Sequence, residues 1–161
     1  MIHVLDSSVL LAISKGEKGD EFAMDLMESN DCVISSVNMA EVASKMLDLG
    51  LPATELKRAF SLFNVDVIDF NEEQAFTSAA LRPLTKSAGL SLSDRACLGL
   101  AKLMNGTAVT SDRPWLDVAE VVGVKVLMIR SSQCQLSATV MCSVRPYWDE
   151  RFSYSFSSSD W

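Results

Sequence analysis

Short apolar runs rich in β-branched residues alternate with longer stretches in which apolar side chains recur every three or four positions, and this alternation holds as far as about residue 130. Runs of the first kind suit strands buried on both faces, and stretches of the second kind suit amphipathic helices. The pattern therefore predicts an α/β domain, strand-helix repeats around a parallel sheet. Five strands are expected at residues 2–5, 32–34, 65–68, 107–110 and 124–129. Helices are expected at 18–28, 39–48, 53–63, 72–87, 92–104 and 114–122. Breakers fall between them: Gly50 and Pro52, Gly89, Asn105 with Gly106, and Gly123. Pro83 lies inside 72–87 and should kink or split that helix.

The pattern stops after Arg130. Residues 131–161 hold nine serines and six of the twelve aromatics, with no helical period and at most a strand at 138–144. A Ser- and aromatic-rich tail without an apolar face is expected to be disordered or loosely docked on the 1–130 domain. The whole chain, 161 residues with 48% hydrophobic and 22% charged, has the balance of a globular protein. It has no run of about 18 apolar residues that would span a membrane. The start lacks the marks of a signal peptide, so a soluble, cytoplasmic protein is expected. Cys32, Cys97, Cys134 and Cys142 show no metal-ligand spacing and read as reduced thiols. His3 is the single histidine, which excludes an RNA-cleaving site built on a pair of imidazoles.

In an open parallel sheet, ligands bind where the strands end at their carboxyl termini. Asp6 follows the first strand directly and Asp112 follows the fourth by two residues. Glu41 lies in the first turns of the helix after the second strand, and Asp94 opens the helix that runs back before the fourth. Four carboxylates thus meet at one edge. Anions so close repel unless a cation stands among them, and an all-oxygen set suits Mg²⁺ or Mn²⁺. Such an ion can activate water and stabilise the charge of a phosphodiester displacement, so hydrolysis of a nucleic acid is the expected chemistry. The net charge of −7 opposes a broad basic surface for nucleic acid, an objection that weakens if part of the acidic excess is masked by metal.

Each acid also has a structural reading. Asp6 can cap the following helix, Ser91 and Asp94 fit a capping box, Asp112 precedes a helix with Pro114 near its start, and Glu41 can pair with Lys45. Capping alone does not explain acids at four stations on one edge. Asp117 stands further out, either as an outer carboxylate or as the partner of Arg113. Ser7, Asn38, Thr110 and Ser111 are near enough to orient water or phosphate, or to serve as caps and turn residues. Arg95 and Arg113 are candidate phosphate contacts. Lys15, Lys18, Lys45 and Arg82 would contribute to substrate choice unless merely solvated. Met39, Met46 and Met104 read as core or partner surface.

Four segments in this order and spacing, VLDSSVLLA at 4–12, SSVNMAEV at 35–42, GLSLSDRACLGLA at 89–101 and VTSDRPW at 109–115, resemble the PIN-domain family. Within it they look most like VapC-type toxins of bacterial toxin-antitoxin pairs. The resemblance implies a three-layer fold with a five-stranded parallel sheet flanked by helices, and Mg²⁺-dependent endoribonuclease activity. It also implies a cognate antitoxin and homodimerisation. By position, Asp6, Glu41, Asp94 and Asp112 match the family's acidic quartet, with Asp6 and Asp94 as direct metal ligands. An antitoxin bringing a basic residue to the acidic pocket would answer the charge objection. Two other readings stay open: a PIN-like RNA-processing nuclease without antitoxin, and a non-catalytic interaction module whose acids only cap helices. A phosphate-transferring enzyme with an Asp nucleophile is less favoured, because no Gly-rich phosphate loop accompanies the acids.

Overall fold

The computed structural model describes residues 1–130. The tail at 131–161 and the strand considered at 138–144 lie outside the described residues. Five strands, β1 (His3–Leu5), β2 (Cys32–Ser35), β3 (Asp66–Ile68), β4 (Thr107–Thr110) and β5 (Lys125–Met128), form one sheet in the order β3-β2-β1-β4-β5. Every pairing is parallel, with Val4 beside Val33 on one side and Ala108 on the other. The sheet is thus parallel throughout, as expected. The central strands β1 and β4 are buried along their whole length, as expected of strands covered on both faces. Helices α1 (Ser7–Lys15), α2 (Asp20–Ser29), α3 (Ser36–Asp48), α4 (Leu56–Ser61), α5 (Glu72–Ala80), α6 (Arg82–Thr85), α7 (Leu92–Leu103) and α8 (Pro114–Val122) complete a three-layer α/β domain. None of them is long and apolar enough to cross a membrane.

Three differences from the expected elements have physical causes, and one expected break is present. Helix α1 was not among the expected spans, although Asp6 was placed as the cap of a following helix, because its run VLLAI, with Val9, Leu10 and Ala12 fully covered, is a short apolar stretch that does not by itself tell a helix from a strand. Helix α3 starts three residues early, since Ser35 caps it by accepting from the Val37 amide. The stretch 53–63 divides into a 3₁₀ turn, Ala53–Glu55, and the short α4. The stretch 72–87 splits at Leu81, as expected of Pro83, which has no amide hydrogen to give and enters the first turn of α6. One core cluster joins Val4, Leu98, Leu100, Ala108, Trp115, Val118 and Val122. It packs α7 and α8 against the sheet and so fixes the two helix starts that carry Asp94 and Asp112.

Candidate functional site

The strand order reverses between β1 and β4, so the chain leaves those neighbouring strands in diverging directions and opens a crevice at their carboxyl ends. Asp6 and Asp112 sit there. Asp94 reaches the same place from the start of α7, and one carboxylate oxygen from each of Asp6, Asp94 and Asp112 lies within 4.8 Å of the other two. Glu41 falls outside this group of three but is tied to it: its Oε2 accepts the Ser7 hydroxyl at 2.7 Å, and Ser7 follows Asp6 directly. Asp117 is exposed and not part of the group. Among the described residues it forms no ion pair with Arg113, and Glu41 forms none with Lys45.

Asp6 is the best-anchored of the acids. Only 2% exposed, its Oδ2 accepts the Ser8 hydroxyl at 2.6 Å, the Thr110 hydroxyl at 3.0 Å and the Ser8 amide at 3.3 Å, while Oδ1 accepts only the Asn38 amide at 3.2 Å. Thr110 in turn accepts the Asp112 amide, and Ser8 accepts the Ser111 amide, so two hydroxyls lock the β1 and β4 turns together. Ser8 is the residue that the sequence reasoning passed over. Its signal was its place two after Asp6, where a cap bond forms. Burial pushes the Asp6 carboxyl up to about 6, helped by the charges of Asp94 and Asp112 and opposed by the Ser8 and Thr110 hydrogen bonds. Asp94 is also raised, first by burial and then by Asp112 and Glu41, against the lowering effect of Ser91.

The structural readings hold in part. Asp6 caps α1, and Ser91 with Asp94 closes a full capping box on α7. In each case the cap occupies Oδ2 alone. Asp112 accepts Ser111 on Oδ1, and no side-chain cap bond starts α8. Among the described residues, Asp94 and Asp112 are thus each held by one oxygen and keep room on the other, while Asp6 is held by both, with a single neutral donor on Oδ1. Arg95 donates to the Leu90 carbonyl at 2.8 Å, and Arg82 donates to the same oxygen, so both brace the turn before α7. Arg113 is exposed beside Asp112. Met46 is buried in the core and Met39 is half-buried.

The donor set fits a hard divalent cation. It offers oxygen ligands only, and it contains a carboxyl that burial, helped by neighbouring anions, holds above its normal range, a condition that a positive charge relieves. Imidazole and thiolate ligands are not part of it. His3 is buried in β1 at the opposite end, and Cys97 lies in the core, giving its thiol hydrogen to the Val4 carbonyl.

Comparison by sequence with curated proteins finds no match. In fold, the chain is similar to a chain of VapBC2 from Rickettsia felis, solved with a DNA fragment from its promoter, at 20% identity and a TM-score of 0.63 over 80% of this chain and 98% of that one. A chain of VapBC-1 from nontypeable Haemophilus influenzae is similar at 17% identity and a TM-score of 0.62, over 81% and 100%. FitAcB from Neisseria gonorrhoeae contains another, at 21% identity and a TM-score of 0.59, over 80% and 98%. At such identities these likenesses speak for the fold. The family model of the PIN domain matches residues 3–121, three quarters of the sequence and every acid discussed above, and the chain belongs to that family.

Proposed function

We propose that the chain is a metal-dependent endoribonuclease and the toxin of a toxin-antitoxin pair. The observation that carries the reading is the approach of Asp6, Asp94 and Asp112 to within 4.8 Å, with one oxygen of Asp94 and one of Asp112 left over from their structural hydrogen bonds and Oδ1 of Asp6 met by the Asn38 amide alone. These three would hold Mg²⁺ or Mn²⁺, which when bound supplies a counter-charge to the acids and a Lewis acid for the phosphodiester. Glu41, with one oxygen fixed by Ser7, keeps the other to orient a water and accept its proton. Thr110 and Ser8 hold Asp6 in place against the repulsion of its neighbours. Ser111 and Arg113, beside Asp112, are the nearest candidates to meet substrate phosphate, and Asp117 remains an outer carboxylate at most.

Support for a toxin comes from the family and from the similar solved chains, among them those of VapBC2 and VapBC-1 and one of a Klebsiella pneumoniae complex that is named toxin-antitoxin. An acidic chain of net charge −7 suits a partner that brings a basic segment to the carboxylates, and a homodimer follows the same family pattern. The capping reading accounts for one oxygen of Asp6 and one of Asp94 and leaves Asp112 without a role. Incubation of purified protein with total RNA in Mg²⁺ or Mn²⁺, beside an EDTA control, tests the proposal. Discrete fragments that vanish in EDTA are expected; intact RNA under every metal condition would overturn it.

A further inference from the structure

Asn38 is fully buried at the edge of the carboxylate cluster, and its two amide hydrogens point in two directions. One goes to Asp6 Oδ1 at 3.2 Å and the other to the Ser7 hydroxyl oxygen at 3.1 Å. Ser7 has a single hydrogen. Its oxygen lies 2.7 Å from Glu41 Oε2 and 3.2 Å from the Asn38 carbonyl, so the shorter, charged acceptor takes it. Every hydrogen in the chain thus runs outward from Asn38, directly to Asp6 on one side and through Ser7 to Glu41 on the other. Among the described residues, the buried Asn38 side-chain oxygen has no partner. Turning the amide over would satisfy that oxygen through Ser7 but set it against Asp6 Oδ1 and release Glu41. The orientation is dictated by the two acids, which together outweigh the hydrogen bond that the Asn38 oxygen would gain from Ser7.

We infer that Asn38 is a positioning residue that sets the separation between the cation-holding oxygen of Asp6 and the carboxylate of Glu41, with Ser7 as its relay. The spacing on α3 permits it, because Asn38 and Glu41 lie three residues apart and share one helical face. Asp6 meets Asn38 directly, whereas Glu41 meets it only through Ser7. The two partners therefore divide the role. Asn38 acts on metal affinity and on rate, and Ser7 acts on rate alone. The inference rests on the metal-dependent nuclease reading for its rate arm only.

The test measures Mn²⁺ binding by calorimetry and RNA cleavage rate for the full-length wild type, Asn38→Ala, Asn38→Thr and Ser7→Ala, at temperatures where each is folded. Asn38→Ala is expected to weaken Mn²⁺ binding and slow cleavage, each by about 10- to 100-fold, the range for a residue behind a metal ligand. Asn38→Thr, which keeps one donor, recovers part of the affinity. Ser7→Ala slows cleavage by about 10-fold and leaves Mn²⁺ affinity within about twofold of the wild type. Unchanged Mn²⁺ affinity in folded Asn38→Ala overturns the inference and leaves the nuclease reading standing. Wild type that binds Mn²⁺ but cuts no RNA overturns the nuclease reading, while the affinity arm still decides the role of Asn38. Absence of Mn²⁺ binding by the wild type overturns both.

Discussion

The hydroxyl of Thr110 donates to Oδ2 of Asp6 at 3.0 Å across 104 residues of sequence, and it takes the Asp112 amide on its own oxygen. One small side chain thereby fixes two of the three converging acids. Thr110→Val, which keeps the shape and deletes the hydroxyl, is expected to cost about 1–3 kcal/mol in urea unfolding, since it leaves a buried carboxylate short of a donor and an amide without its acceptor. A cost within experimental error of zero would show that this bond does not brace the site.

Asp6 gives a pH dependence of defined sign. Its carboxyl titrates near 6 in the folded protein against 3.8 for an ordinary aspartate, so between these values the folded state retains a proton that the unfolded chain has released. Stability of the metal-free protein therefore falls as pH rises from about 4 to about 6, by up to about 3 kcal/mol from this group. Asp6→Asn lacks the titrating group. Unfolding in EDTA at pH 4, 5.5 and 7 should show the variant gaining on the wild type as pH rises, with most of the gain complete by pH 7. A stability difference that stays constant with pH, or that moves in favour of the wild type as pH rises, contradicts the burial of this charge.

Divalent metal should reverse that loss. Stabilisation by Mn²⁺ at a fixed concentration is expected to be larger at pH 7 than at pH 4.5, because Asp6 must release its proton to become a ligand. Thermal midpoints with and without Mn²⁺ at the two pH values measure it. Equal shifts at both would place the bound ion elsewhere.

The turn between α1 and α2 offers a prediction on the scaffold. Gly19 has φ +99°, and a Cβ there would lie 2.5 Å from the Ile129 carbonyl oxygen, whereas one on Gly16, at φ +62°, would meet nothing closer than an Asp20 oxygen at 3.9 Å. Both alanine variants carry the cost of a left-handed backbone, and only Gly19→Ala adds a backbone clash. The expected result is that Gly19→Ala costs at least about 1 kcal/mol more than Gly16→Ala in denaturant unfolding. Equal costs would mean that the end of β5 yields freely.

Much of the framework could be read from the chain because local signals agreed with tertiary needs. Helix α8 runs over the residues expected, framed by Pro114 at its start and Gly123 after its end. The strands β1 and β4 announced themselves as apolar runs because both faces are covered. Helix α1 was missing from the expected spans, since its short apolar run VLLAI does not by itself tell a helix from a strand. The convergence of Asp6, Asp94 and Asp112 followed from strand ends and helix direction. What topology could not supply was the division among the acids: Glu41 stands outside the group of three, and Ser8 rather than Ser111 contributes the short bond to Asp6. Such differences arise from side-chain rotamers and hydroxyl directions, which a linear pattern does not carry. Arg95 illustrates the same limit, since its neighbour Asp94 suggested a phosphate contact and its guanidinium instead holds the Leu90 carbonyl.

The most direct test of a carboxylate metal centre that cuts RNA compares Asp94→Asn with Ser91→Ala in one cleavage assay with Mn²⁺. Both variants touch the capping box of α7, but only the first removes a charge from the cluster. Asp94→Asn should lose more than about 100-fold in rate, beyond the range for residues that merely support a ligand. Ser91→Ala should lose about 1 kcal/mol of stability and remain active where folded. Asp94→Asn as active as the wild type, or Ser91→Ala equally inactive while folded, would contradict a catalytic role for Asp94 and return it to the helix cap.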